Sequence, residues 1–179
     1  MAWRHAVPVL VLGVLAAPGV RAHDQSVGVG RLLDVSVEVE GRRSPLFAAA
    51  DGSGRFYFEA REGGRYSIRL ANRTGERLGA VVTVDGLNVI SGLKDTGRGR
   101  MYVIGPWEDT TIRGWRSSLA EVRRFTFVDE RASYAARSGK ANSKMGWVEV
   151  AVHREQRRYV YRPYPYPYHP PYTPPYEPS

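Results

Sequence analysis

The sequence predicts an all-β protein, an antiparallel two-sheet β-sandwich with short connecting helices and a disordered C-terminal tail. The first observation behind this is strict alternation. Leu33, Val35, Val37 and Val39 interleave with Asp34, Ser36, Glu38 and Glu40, which places apolar side chains on one face of a strand and polar ones on the other. The second is a set of closely spaced turn signals, Asp51-Gly52-Ser53-Gly54, Gly63-Gly64, Asn72-Arg73-Thr74-Gly75 and Asp85-Gly86. These residues tolerate positive φ or bond to their own backbone, as tight reversals require. The third is a change of composition beyond Arg157, where seven of the eleven tyrosines and eight of the twelve prolines fall within residues 159–179.

Each segment follows from local chemistry. Arg4 and His5 precede an apolar run at 6–15, and Val20-Arg21-Ala22 has the small-x-small form that signal peptidase cuts. The run is too short to span a bilayer, and Pro8 and Pro18 interrupt it. Residues 1–22 are therefore expected to be a cleaved export signal, and the mature chain a periplasmic or secreted protein with no transmembrane span. Residues 23–32 read as a flexible leader, whose Gly28-Val29-Gly30 lacks the third glycine of a dinucleotide fingerprint. The sandwich domain is expected over 33–156. Alternation places further strands at 55–60, 65–70, 78–84, 101–104, 110–113, 124–128 and 147–153, with a Gly-rich charged loop at 92–99. Helical turns are expected near Ser118, which has capping-box spacing to Glu121, and at 132–137. The Tyr-Pro repeats of 157–179 lack backbone donors and aliphatic side chains, so they read as a disordered, extended polyproline II tail.

No cysteine occurs among the 179 residues, which removes disulfides, zinc-thiolate centres and thiol nucleophiles from consideration. Burial alone must hold the domain together. The formal charge is +8, and +6 once Arg4 and Arg21 leave with the signal. For an exported protein such a surface points to an anionic lipid or polysaccharide of the cell envelope and not to nucleic acid. Scattered arginines on solvated strand faces are the plainer account of the same excess.

No Gly-x-Ser-x-Gly elbow, His-Glu-x-x-His motif or phosphate-cradling loop is present. The nearest acid pair, Glu108-Asp109, follows Pro106 in a turn, where carboxylates are usually solvated. No catalytic residue and no cofactor is expected. Trp107, Trp115 and Trp147 supply planar faces and Arg116, Arg123 and Arg124 neighbouring charge, a combination suited to sugar rings or anionic partners, against the alternative that the tryptophans pack into the core; Trp107, Trp115 and Arg116 are the candidate binding residues. Cleavage after Ala22 would make His23 the terminal residue, and a terminal histidine can hold copper when a second histidine joins it. The candidate partner is His153, which strand parity places opposite Val148, Val150 and Val152 and hence facing outward. Exported β-sandwich copper carriers and copper-dependent polysaccharide oxygenases use such a site. Asn72-Arg73-Thr74 matches a glycosylation sequon, with a plain turn as the alternative.

The run Trp115-Arg116-Ser117-Ser118-Leu119, Arg123-Arg124-Phe125-Thr126-Phe127, Ser133-Tyr134-Ala135 and Met145-Gly146-Trp147, with Arg65-Tyr66-Ser67-Ile68 and Val84-Asp85-Gly86, resembles a group of exported bacterial proteins of unknown function. That resemblance implies no activity. The expected function is a non-catalytic binding or structural protein of the envelope. The alternatives are a copper-binding carrier or oxidase, or a carbohydrate-binding module.

Overall fold

The computed structural model describes residues 26–116 and 122–156 and the backbone path of 3–15. The chain is mainly β with almost no helix, in antiparallel sheets. The strands in order are β1 (Trp3–Leu15), β2 (Val27–Val29), β3 (Leu33–Val39), β4 (Arg42–Arg43), β5 (Phe47–Ala48), β6 (Phe56–Glu59) and β7 (Arg65–Asn72). They continue as β8 (Leu78–Val84), β9 (Leu87–Asn88), β10 (Tyr102–Ile104), β11 (Asp109–Ile112), β12 (Gly114–Arg116), β13 (Val122–Thr126) and β14 (Trp147–Glu155). A 3₁₀ turn over Glu130–Ala132 leads into the single-turn helix α1 (Tyr134–Arg137), capped by the Ser133 hydroxyl accepting from the Ala136 N–H.

One sheet has the order β10-β8-β14-β1-β6-β5, with β9 paired to β8; the other has the order β12-β13-β7-β3-β2, with β11 on β7 and β4 on β3. Every pairing is antiparallel except that of β1 with β6. Two reversals use left-handed backbone at both central residues, as two-residue hairpins demand. They are Glu40-Gly41, at φ 49° and 76°, and Asp85-Gly86, at 52° and 72°.

Alternation decides which side chains meet. Val35, Val37, Ile68 and Leu70 of one sheet and Val82, Val84, Val148, Val150 and Val152 of the other belong to one buried cluster with Phe58 and Phe125. Each such side chain removed from water contributes about 1.5–3 kcal/mol. β8 departs from simple alternation, because all seven of its residues are buried. Its outward residues are buried too, and Val81 and Thr83 share the walls of a cavity of about 680 Å³ with residues 94–97 of the 92–99 loop.

Three further differences from the sequence expectation have local causes. Val27–Val29, inside the expected leader, is a strand, because Gly30 at φ 59° turns the chain so that Val27 and Val29 pair with Val35 and Leu33. Residues 114–116 form a strand, β12, that was not expected, and it pairs with β13, the strand expected at 124–128 and found at 122–126. Trp3–Leu15, within the expected export signal, runs between β14 and β6. Most of the expected helical turn near Ser118, and the tail at 157–179, lie outside the described residues. No helix among the described residues is long and apolar enough to cross a membrane.

Candidate functional site

Between β10 in one sheet and β11 in the other, the chain crosses through residues 105–108, and this turn carries Trp107. Asn72 builds the platform beneath it. Its buried side-chain amide donates to the carbonyls of Glu76 and Gly105, both at 2.7 Å, and its carbonyl oxygen accepts from the Thr74 N–H and hydroxyl at 2.9 and 2.8 Å. With that amide 2% exposed, the sequon is a structural turn. The Trp107 N–H then donates to the Thr74 carbonyl at 3.1 Å.

Trp107 is held at φ 59°; of the three non-glycine residues in left-handed backbone among the described residues, it is the one not explained by a two-residue hairpin. Its side chain is 71% exposed. A bulky residue in that conformation, left in water, is unfavourable twice over. Around it lie Arg43, Arg69 and Arg73 on a shallow depression of about 100 Å³. Arg69 pairs with Asp109 and Arg73 with Asp34, each at 2.6 Å. Asp109 is thereby occupied, and Glu108 accepts from the Gly105 N–H at 3.2 Å, so both acids have structural roles.

At the other end of β11 a groove of about 480 Å³ runs beside the β12–β13 pair. Arg113, Arg116 and Arg124 line it with Tyr102, and its described lining holds no carboxylate. None of the three arginines has an ion pair among the described residues. Burial raises the Tyr102 hydroxyl pKa above its ordinary value, and the positive charge of Arg116 beside it works against that rise. Gly114 allows the close approach that shapes this end, because a Cβ there would collide with the Arg123 carbonyl. Trp115 turns inward and packs on Phe125 and Tyr134 at ring separations of 5.7 and 4.9 Å. The two tryptophans and Arg116 are therefore not one cluster. Trp107 stands at one end of β11 and Arg116 at the other, while Trp115 supports the groove from behind.

His153 corrects the outward-facing expectation. Its parity is as expected, but the outer face of β14 is covered, leaving His153 6% exposed. The cover is the 92–99 loop, organised by Asn88 and Asp95. The Asn88 amide donates to Asp95 and to the Arg100 carbonyl at 2.7 Å, and Asp95 Oδ1 accepts from the N–H groups of Gly97, Arg98 and Gly99 at 2.9–3.0 Å. Burial works to raise the Asp95 pKa, but the Asn88 amide and those three N–H groups outweigh it and hold the carboxyl below its ordinary range. Among the described residues no group of three His, Asp or Glu side chains is placed to hold a metal ion, and His23 lies outside them.

Sequence reasoning named Arg116 and Arg124 as neighbouring charge but missed Arg113 and Tyr102. Arg124 was legible as an outward residue beside Phe125, yet the pairing of β12 with β13 that brings it to Arg116 is a tertiary fact. Compared with protein-family models, curated proteins and solved structures, the chain matches none of them.

Proposed function

We propose that this is an exported, non-catalytic binding protein of the cell envelope, built as two facing β-sheets, that holds an acidic polysaccharide along β11. The observation that carries this reading is the groove of Arg113, Arg116 and Arg124, three guanidiniums with no carboxylate among the described lining residues. Guanidinium forks match carboxylate and sulfate geometry, and a groove concentrates their field. Trp107, exposed at the far end of the same strand, supplies a flat face for a sugar ring. Four residues of β11 separate the two, a span of about 13 Å in extended backbone. That suits a polymer better than a single sugar.

Export and binding are tested separately. An intact mass beginning at His23 for protein recovered from the envelope fraction supports export, and one beginning at Met1 rejects it. Titration with alginate, a polyuronate, followed by tryptophan fluorescence, should show affinity that falls with added salt. The double variant Arg116→Ala/Arg124→Ala should bind about tenfold more weakly, a loss of about 1.4 kcal/mol. Unchanged affinity in that variant removes the groove from the reading.

A further inference from the structure

A second cavity, of about 220 Å³, lies away from the arginine groove and has the opposite electrostatic character. Its walls are aromatic, formed by Phe58, Tyr66, Phe127 and Trp147. Tyr66 stacks on Phe125 and Phe127 at ring separations of 5.1 and 4.5 Å, and Phe58 meets Phe127 at 5.9 Å. Its polar side carries two carboxylates, Asp85 and Glu130.

Asp85 and Glu130 are among the described acids that form no ion pair. Asp85 Oδ1 accepts from the Gly146 N–H at 2.7 Å, and no other contact to its carboxylate is present among the described residues. Burial pushes the Asp85 pKa up, the Gly146 N–H opposes that rise, and the charge of Glu130 adds to it. Tyr66 also lines this cavity, and its hydroxyl pKa is pushed upward by burial and then by the charge of Asp85.

We propose that this cavity binds a small organic cation, a substituted ammonium whose charge meets Asp85 and Glu130 while its apolar substituent lies against the aromatic walls. Aromatic faces attract such cations through their quadrupoles, and more strongly once water is displaced. Two like charges beside one another disfavour an anion, and a neutral apolar guest would bury Asp85 further with nothing to offset its charge. The volume is below the roughly 300–1,000 Å³ of drug-sized pockets, which limits the guest to a compact head with one small substituent. The site is independent of the polysaccharide reading, since it shares no residue with the groove.

The test uses the full chain with benzyltrimethylammonium as probe and neopentylbenzene, its neutral carbon isostere, as comparison, followed by calorimetry and Trp147 fluorescence. The cation should bind saturably with a Kd in the range of about 0.1–1 mM, and the isostere at least about tenfold more weakly. Asp85→Asn keeps the turn, because Asn-Gly suits the same reversal and retains an acceptor for Gly146; it should weaken the cation about tenfold. Glu130→Gln, at an exposed position in the 3₁₀ turn, should weaken it about threefold, and Arg116→Ala should leave it unchanged. Equal binding of the isostere, full affinity in both acid variants, or no saturation by about 10 mM would overturn the proposal.

Discussion

His153 Nε2 lies 2.8 Å from the carbonyl oxygen of Gly97, and because that carbonyl can only accept, this ring nitrogen carries the proton. The bond ties the centre of the 92–99 loop to β14 beside a cavity of about 680 Å³ that the loop shares with Val81, Thr83, Glu149 and Ala151 of the sheet. Gly97 sits close against β14, since a Cβ there would lie 3.0 Å from that of Ala151.

The first prediction concerns that tie. His153→Ala leaves the part-buried Gly97 carbonyl without its donor, at a cost of about 1–3 kcal/mol. Urea unfolding should show the loss as a lower midpoint with little change in slope. His153→Gln, which keeps an N–H donor, should recover part of it. A midpoint for His153→Ala equal to wild type would mean that the loop holds its place through Asn88 and Asp95 alone.

Two aspartates should give opposite pH signatures. Asp95 has a folded pKa below its ordinary 3.8, so its contribution to stability is fully present above that value and is lost as pH falls through the folded one. Asp85 has a folded pKa above 3.8, so it penalises the fold at neutral pH, and the penalty disappears as acid takes the pH down through its raised value. Asp95→Asn should therefore destabilise at pH 7, with the deficit closing in acid. Asp85→Asn should stabilise at pH 7, with the gain closing in acid. Urea midpoints measured from pH 3 to pH 8 separate the two, and parallel profiles for both variants would contradict the assigned environments.

Trp107 links stability to function in one residue. Left-handed backbone costs a non-glycine residue about 1–2 kcal/mol, and glycine returns about 0.5–1 kcal/mol of that through its freer unfolded chain. Trp107→Gly should therefore stabilise the protein by up to about 1 kcal/mol and raise Tm slightly, while binding of alginate weakens. A variant that lost both stability and binding would show that the exposed ring packs the turn and does not serve a ligand.

The legible part of this fold was the part where one face is wet. Leu33–Val39 and Arg65–Asn72 alternate because their outer residues, Ser36 excepted, stay at least partly exposed, and there the sequence period reports the structure directly. Leu78–Val84 has Val81 where alternation calls for a polar residue, a trace of its second buried face, but the covering loop at 92–99 has too many glycines and charges to look like a lid. The same loop hid the environment of His153. The groove was half legible for a different reason. Arg116 and Arg124 stand out beside the aromatic residues Trp115 and Phe125, but only the pairing of β12 with β13 brings them to one groove with Arg113 and Tyr102.

The last prediction concerns β1. Gly13 pairs with Trp147 on one side and with Tyr57 on the other, and the Tyr57 and Trp147 rings meet at 5.7 Å across a residue that has no side chain. The Arg55 guanidinium, from the residue just before β6, lies 5.6 Å from the Trp147 ring centre. In the full chain β1 thus supplies β14 with its second partner, from Trp3 opposite Glu155 to Gly13 opposite Trp147. A chain that begins at His23 has no such strand, and β14 keeps β8 as its neighbour. Backbone groups of a strand point alternately to its two neighbours, so only every second amide of β14 loses its bond. Hydrogen exchange resolved by NMR should then show alternate amides of 147–155 exchanging at least about tenfold faster than in the full chain, while those bonded to β8 stay protected. Uniform protection along β14 in the shorter chain would mean that another segment takes the place of β1, and uniform loss would mean that the sheet depends on it as a whole.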